Sequence, residues 1–265
     1  MNDDTTTLRL RMPVADNASL PTGATRTALE TLGRRIANDT YAEGSVMPTE
    51  AELAASLDVS RATARDAVKV LSGKGLVRTA RRYGTRVRPA AEWNLLDADV
   101  ISWHDPGHPR IRTMFVETTE LRCILEPEAA ALAAERATPE QRRAIHAAAT
   151  EMQAERQSLQ DLFDADCRFH TAMLEATGNR MMLQLGGIIV ATVRISYEFG
   201  ILANDGETVS REGHLRVANA ILAGDPGRAK AEMAAMLARN RRTASGRLQG
   251  FSARAASDPQ GVGSR

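Results

Sequence analysis

Apolar residues recur at intervals of three and four through most of this chain, and only one short stretch alternates. The first such pattern predicts a helix over 25–41, with Leu29, Leu32, Ile36 and Ala37 on one side. Thr49 is placed to cap a short helix carrying Ala51, Leu53, Ala54 and Leu57, because its hydroxyl can accept from free first-turn amides. Asp58 and Val59 make a turn, and Ser60 is placed to cap a helix over 61–73. There Ala64, Ala67, Val68 and Leu71 form one apolar stripe. Strand-like runs at 76–79 and 85–87 flank a predicted hairpin over 80–84. From residue 111 the period is helical again, over about 111–136, 139–157, 159–177, 182–202, 207–223 and 227–242. The breaks between these runs are short, so they predict antiparallel neighbours. The fold class expected is mainly α: an N-terminal winged helix-turn-helix with a small β-hairpin wing, then an all-α antiparallel helical bundle.

The domain bounds expected are 23–88 and 110–247, joined by a linker over 89–109, with disordered tails at 1–22 and 248–265. The linker holds Trp93 and Trp103 with aliphatics between them. It reads either as a segment docked on a domain surface or as a short helix with two core tryptophans. Aromatic residues make up only 4% of the chain, which fits helices better than sheets. The formal net charge of +1 hides an uneven distribution: 12 bases to 7 acids over 21–90, against 20 to 23 over 91–265. Cys123 and Cys167 form neither a zinc pattern nor a disulfide framework, so free thiols and a cytoplasmic location are expected. The longest apolar run, 181–193, is broken by Gln184 and is too short to span a bilayer. It reads as a central bundle helix.

Within 61–73, Arg61, Arg65 and Lys69 are spaced four apart and project together, opposite the apolar stripe. Between Ser60 and Ala90 stand nine Arg or Lys and a single acid, Asp66. That density on a helix and an adjoining hairpin is the footprint expected for a phosphate backbone. The stretch from Leu57 to Leu71, with Pro48-Thr49-Glu50 before it and Gly75-Leu76-Val77 after it, resembles the DNA-binding signature of GntR-type transcriptional regulators. The resemblance implies that Ser60, Arg61, Arg65 and Gly84 lie against double-stranded operator DNA. Thr63, Arg81 and Arg82 are expected to assist. One recognition helix reads few base pairs, so a homodimer on a near-palindromic site is expected.

In the second half, Asp166 and His170 stand four apart on one helix face and could reach one metal ion, or could form an ordinary ion pair. Read with Phe169, Gly178-Asn179, Gly213-His214 and Arg122-x-x-x-Glu126, they resemble the all-helical ligand-binding (FCD-type) domain of the fatty-acid-regulator branch of that family. The resemblance implies a divalent metal, such as zinc, manganese or nickel, held by Asp166, His170 and His214. Met236 stands where that branch has a further histidine. Its thioether is a soft, weak ligand, which leaves coordination open and places Met236 among the effector-binding residues. The linker and the missing histidine together look like sugar-acid-responsive members. The expected effector is a small carboxylate, with Arg122 and Arg194 as its candidate cations. The alternatives are an Arg122–Glu126 ion pair and an Arg194 that snorkels to solvent. Two other functions fit the Asp166, His170 and His214 set, a metal-dependent hydrolase and a metal sensor. No His-Glu-x-x-His or Gly-x-Ser-x-Gly motif supports the former, and the reading is of a repressor, not an enzyme.

Overall fold

The computed structural model of the chain describes residues 21–155, 158–203, 210–239 and 241, with the backbone alone over 198–203. All but residues 21 and 22 of the expected tails, the start of the 207–223 helix and most of 240–247 lie outside the described residues. The chain divides into two compact units that meet between His108 and Pro109.

In the first unit, α1 (Gly23–Ala37), α2 (Glu50–Leu57) and α3 (Arg61–Gly73) precede an antiparallel hairpin of β1 (Val77–Ala80) and β2 (Gly84–Val87). Thr49 caps α2 as expected, and Glu52 returns a bond to the Thr49 amide at 2.8 Å to complete a capping box. Ser60 caps α3 by accepting from the Thr63 amide at 3.0 Å. Asp58 turns the chain between the two helices in a left-handed conformation, φ 51°, which its short polar side chain tolerates. Leu29, Leu32 and Ile36 of α1 close over Ala64, Ala67 and Leu71 of α3, with Val77 and Val87 from the hairpin. The first helix ends four residues earlier than the periodicity suggests, because Asn38 caps it and Asp39 turns left-handed at φ 60°.

The stretch 89–109 is not a free linker. Through His108 it belongs to the first unit, and Trp93, Val100 and Trp103 are part of that unit's core. A short helix, α4 (Ala98–Ser102), lies within it, capped by Asp97. Lys74, almost fully buried at the end of α3, bonds Asp97 at 2.6 Å and Asp99 at 2.9 Å, and Arg26 of α1 reaches Asp99 at 2.9 Å. The Trp93 indole donates to the Arg88 carbonyl, and Asn38 donates to the Trp103 carbonyl at 2.9 Å. Burial of two tryptophans and closure of an ion-pair network outweigh the entropy of keeping this segment loose.

The second unit is helical throughout its described residues: α5 (Pro109–Arg136), α6 (Pro139–Glu151), α7 (Leu159–Ala176), α8 (Arg180–Gln184), α9 (Gly186–Ala203), α10 (Arg211–Ala223) and α11 over 226–239. The helix predicted as one piece over 182–202 is two, parted at Leu185, because Gly186 and Gly187 weaken continuity and Asn179 starts a separate turn by accepting from the Met181 amide. Helix α6 stops at Glu151, short of the predicted 157. α5 packs on α7, α9 and α10, and α6 packs on α7 and α10. Arg142 of α6 fastens helix ends by donating to the carbonyls of Ala134, Ala137 and Leu222. No described helix is long and apolar enough to cross a membrane. Cys123 and Cys167 are free thiols.

Candidate functional site

Two surfaces of the fold carry chemistry, one in each unit. On α3 the apolar stripe faces the core, and Arg61, Arg65 and Lys69 are therefore all exposed. Lys69 spends part of its charge on Asp66 at 3.1 Å, which leaves Arg61 and Arg65 as the stronger cations of that face. Thr63 is half-buried, its hydroxyl 2.8 Å from that of Ser60. In the hairpin, Val77 opposes Val87 and both point into the core, so the next pair, Arg78 and Arg86, points outward. Arg81, Arg82, Tyr83 and Gly84 form the exposed tip. Arg82 and Gly84 each take φ 73°; the glycine has no side chain to oppose that conformation. A third segment backs the hairpin, with bonds from Met47 to Thr85, from Val87 to Ser45 and from Gly44 to Val87.

In the second unit, α5, α7 and α10 bring five polar residues to one interior point: Arg122, Glu126, Asp166, His170 and His214. Asp166 Oδ1 lies 3.0 Å from His170 Nε2 and 3.2 Å from His214 Nε2, and the two nitrogens are 3.4 Å apart. The outer nitrogens are engaged elsewhere. His214 Nδ1 is 2.9 Å from the Ser210 carbonyl, which only accepts, so Nδ1 carries the hydrogen and Nε2 presents a lone pair. His170 Nδ1 lies 3.0 Å from Glu126 Oε2. Phe169 fixes both rings, standing edge-on to His170 at 5.2 Å and to His214 at 5.0 Å between centroids.

Asp166 Oδ1 is buried, with two imidazole nitrogens beside it. Three atoms able to ligate a cation therefore converge. Donors at about 2.0–2.1 Å around a tetrahedral zinc stand roughly 3.3 Å apart, close to the three separations here. The set fits a shared divalent cation. Without a cation, burial works against the charged form of His170, but Glu126 and Asp166 outweigh it and lift the pKa to about 9, so a bound metal would displace a proton there. Burial likewise opposes ionisation of Asp166, yet His214 and His170 hold its carboxyl well below the usual range. Glu126, despite burial, is kept down at about 2 by Arg122 and His170.

Arg122 is not a free cation awaiting a ligand. Its Nε donates to Glu126 Oε1 at 2.6 Å, and its Nη2 lies 3.1 Å from His170 Nε2. The ion-pair alternative of the sequence is what the fold contains. Arg194 does not snorkel either, being 1% exposed on α9. Met236 of α11 is buried against Gly213, where an added Cβ would stand 2.9 Å from its Cγ and 3.1 Å from its Sδ. Outside this unit, His104 lies 3.0 Å from the Val100 carbonyl and His108 pairs with Asp39. Two participants had no sequence signal: the Glu126 contact to His170, across 44 residues, and Tyr197. The Tyr197 hydroxyl donates to the Leu162 carbonyl, and burial followed by Asp166 pushes its pKa up.

Comparison with known proteins supplies the context. Residues 24–87 match the family described as bacterial regulatory proteins, gntR family, and residues 117–239 match the FCD domain. The galactonate operon transcriptional repressor of Escherichia coli (strain K12) is 35% identical over 170 residues, spanning 63% of this chain and 73% of that protein. The HTH-type transcriptional repressor NanR of Cronobacter sakazakii is 30% identical over 206 residues, spanning 74% and 76%. Among solved structures, Lar, which controls expression of the Listeria monocytogenes agr system, is similar with a TM-score of 0.56 at 18% identity, over 86% of this chain and 99% of that one. That likeness speaks to the fold alone. These relatives regulate transcription, which removes the hydrolase reading.

Proposed function

We propose, because this chain belongs to the gntR family of bacterial regulatory proteins and carries an FCD domain, that it represses a sugar-acid catabolic operon in the cytoplasm and leaves its operator when a small carboxylate binds in the second unit. DNA binding follows from the family. The observation that carries the effector reading is the convergence of Asp166 Oδ1, His170 Nε2 and His214 Nε2 within 3.4 Å of one another in the interior of the FCD unit. Asp166 and Glu126 are anionic and Arg122 is cationic, so these side chains sum to one negative charge before any proton or metal is added. A divalent ion, for which zinc, manganese or nickel suits these donors, reverses that to one positive charge, the complement of one carboxylate. The Met236 thioether adds no charge and no hard donor. Arg122, which is paired with Glu126, and Arg194 are the candidate cations for the effector. The sugar-acid class is suggested by the galactonate repressor's similarity.

An effector shifts the DNA-reading heads only by its differential affinity for their two arrangements, and about 100-fold, or about 2.7 kcal/mol, suffices for effective release. A thermal-shift screen of aldonates and uronates, with and without divalent metal, should give a stabilising hit that depends on the metal. His214→Ala is expected to keep operator affinity and lose release by that hit. A normal response from His214→Ala would place the sensing site elsewhere. Because one α3 reads too few base pairs, the protein is also expected to be a homodimer. Light scattering that gives a monomer at micromolar concentration, with operator affinity intact, would contradict this.

A further inference from the structure

We infer that Arg122 competes with the metal for His170, and that Arg122 and Glu126, one ion pair, set the metal affinity of the site in opposite directions. The inference rests on the metal reading above. Arg122 Nη2 lies 3.1 Å from His170 Nε2, the same nitrogen that stands 3.0 Å from Asp166 Oδ1 and 3.4 Å from His214 Nε2. The guanidinium is therefore at the atom a metal must ligate. It only donates and it never loses its charge, so beside the neutral ring its N–H would take the Nε2 lone pair that a metal needs. Its charge also repels a second cation in an interior where water screens poorly.

Glu126 acts at the other end of the same ring. Its Oε1 anchors Arg122 Nε at 2.6 Å, while its Oε2 stands 3.0 Å from His170 Nδ1. A carboxylate at the outer nitrogen of a ligating histidine keeps the proton there, fixes the ring and makes the inner nitrogen the better donor. Neither residue can escape this arrangement, since Arg122 is 5% and Glu126 0% exposed. Arg122 thus lowers the affinity of the imidazole for a cation and Glu126 raises it. Both are positioning residues, and the expected outcome is a metal that exchanges readily, not one locked in at folding.

The test titrates zinc, nickel and manganese salts alone into the intact chain by calorimetry. The proteins compared are wild type, Arg122→Met, Glu126→Gln, and the double variant. The double variant removes the ion pair as a whole and leaves no lone buried charge, so it stays informative if a single variant folds poorly by circular dichroism. Arg122→Met should bind at least about 10-fold more tightly, and Glu126→Gln about 10- to 100-fold more weakly. The double variant should bind more weakly than Arg122→Met, because it lacks the hold on Nδ1. With the His170 ring neutral, its 15N shifts should report hydrogen at Nδ1 in wild type and Arg122→Met and a mixture of tautomers in the variants lacking Glu126. Equal or weaker binding by Arg122→Met would overturn the competition and leave the pair a structural staple. Absence of binding in all four proteins would overturn the metal reading itself, and the inference with it.

Discussion

Trp103→Ala should cost the first unit about 3–5 kcal/mol, the range for deleting a large buried aromatic, and the loss should change how the chain tolerates a residue 70 positions earlier. Trp103 is 1% exposed, and its ring lies against Gly33 of α1 so closely that an added Cβ would stand 2.4 Å from two ring carbons. Lys74 Nζ sits 5.8 Å from the ring centroid. In the wild-type chain, Gly33→Ala should destabilise by roughly 1–3 kcal/mol, since the overpacking exceeds the gain of up to about 1 kcal/mol from replacing glycine within a helix. In the Trp103→Ala background the ring is gone and Gly33→Ala should become neutral or stabilising. Urea unfolding can follow this cleanly, because both tryptophans of the chain, Trp93 and Trp103, lie in the first unit, and Trp93 remains to report. Additive costs for the two substitutions would show that the ring and Gly33 are not energetically coupled.

Arg65→Ala should weaken specific operator binding by roughly 1–3 kcal/mol, about 5- to 150-fold, and relax the base preference where its guanidinium meets the acceptors of a guanine. Arg65 is exposed on α3, whereas Lys69 pairs with Asp66 at 3.1 Å. Lys69→Ala should therefore do less. Arg81→Ala and Arg82→Ala at the hairpin tip should weaken all sequences alike and reduce the salt dependence of binding by about one phosphate's share each. Fluorescence anisotropy with an operator enriched from a random duplex library separates these outcomes. If Arg65→Ala binds that operator as tightly as wild type at physiological salt, α3 does not read the sequence.

The parts of this protein that were legible from sequence are those governed by local rules. The stripe Ala64, Ala67, Val68 and Leu71 carries the period of a helix, and it placed α3 and its basic face correctly. Asp166 and His170 declared themselves by being one turn apart, and the fold brings His214 to them. The same spacing offered Arg122 and Glu126 as an ion pair, which the structure contains. Tertiary facts were hidden. Nothing near Glu126 in sequence announces His170, and the mostly apolar character of 181–193 conceals the break at Leu185 because hydrophobicity alone does not register two successive glycines. The 89–109 stretch reads two ways for a related reason: its prolines and acids look like a connection, yet its acids are the partners of Lys74 and Arg26, and its tryptophans lie in the core beside a short helix, as the second of the two readings has them.

That last feature bears on how such regulators diversify. A DNA-reading head that ended at the wing, near residue 88, could be exchanged between effector domains as a self-sufficient module. Here the exchangeable piece runs on to His108, since a head cut at residue 88 would uncover the α1 surface at Gly33 that Trp103 covers and strand the Lys74 ammonium without its two carboxylates. Recombination at the wing would then yield chimaeras that misfold, whereas recombination at the start of α5 would carry the tryptophans along with the surface they were shaped to cover. Breakpoints between heads and sensors in lineages sharing this arrangement should accordingly gather just after residue 108.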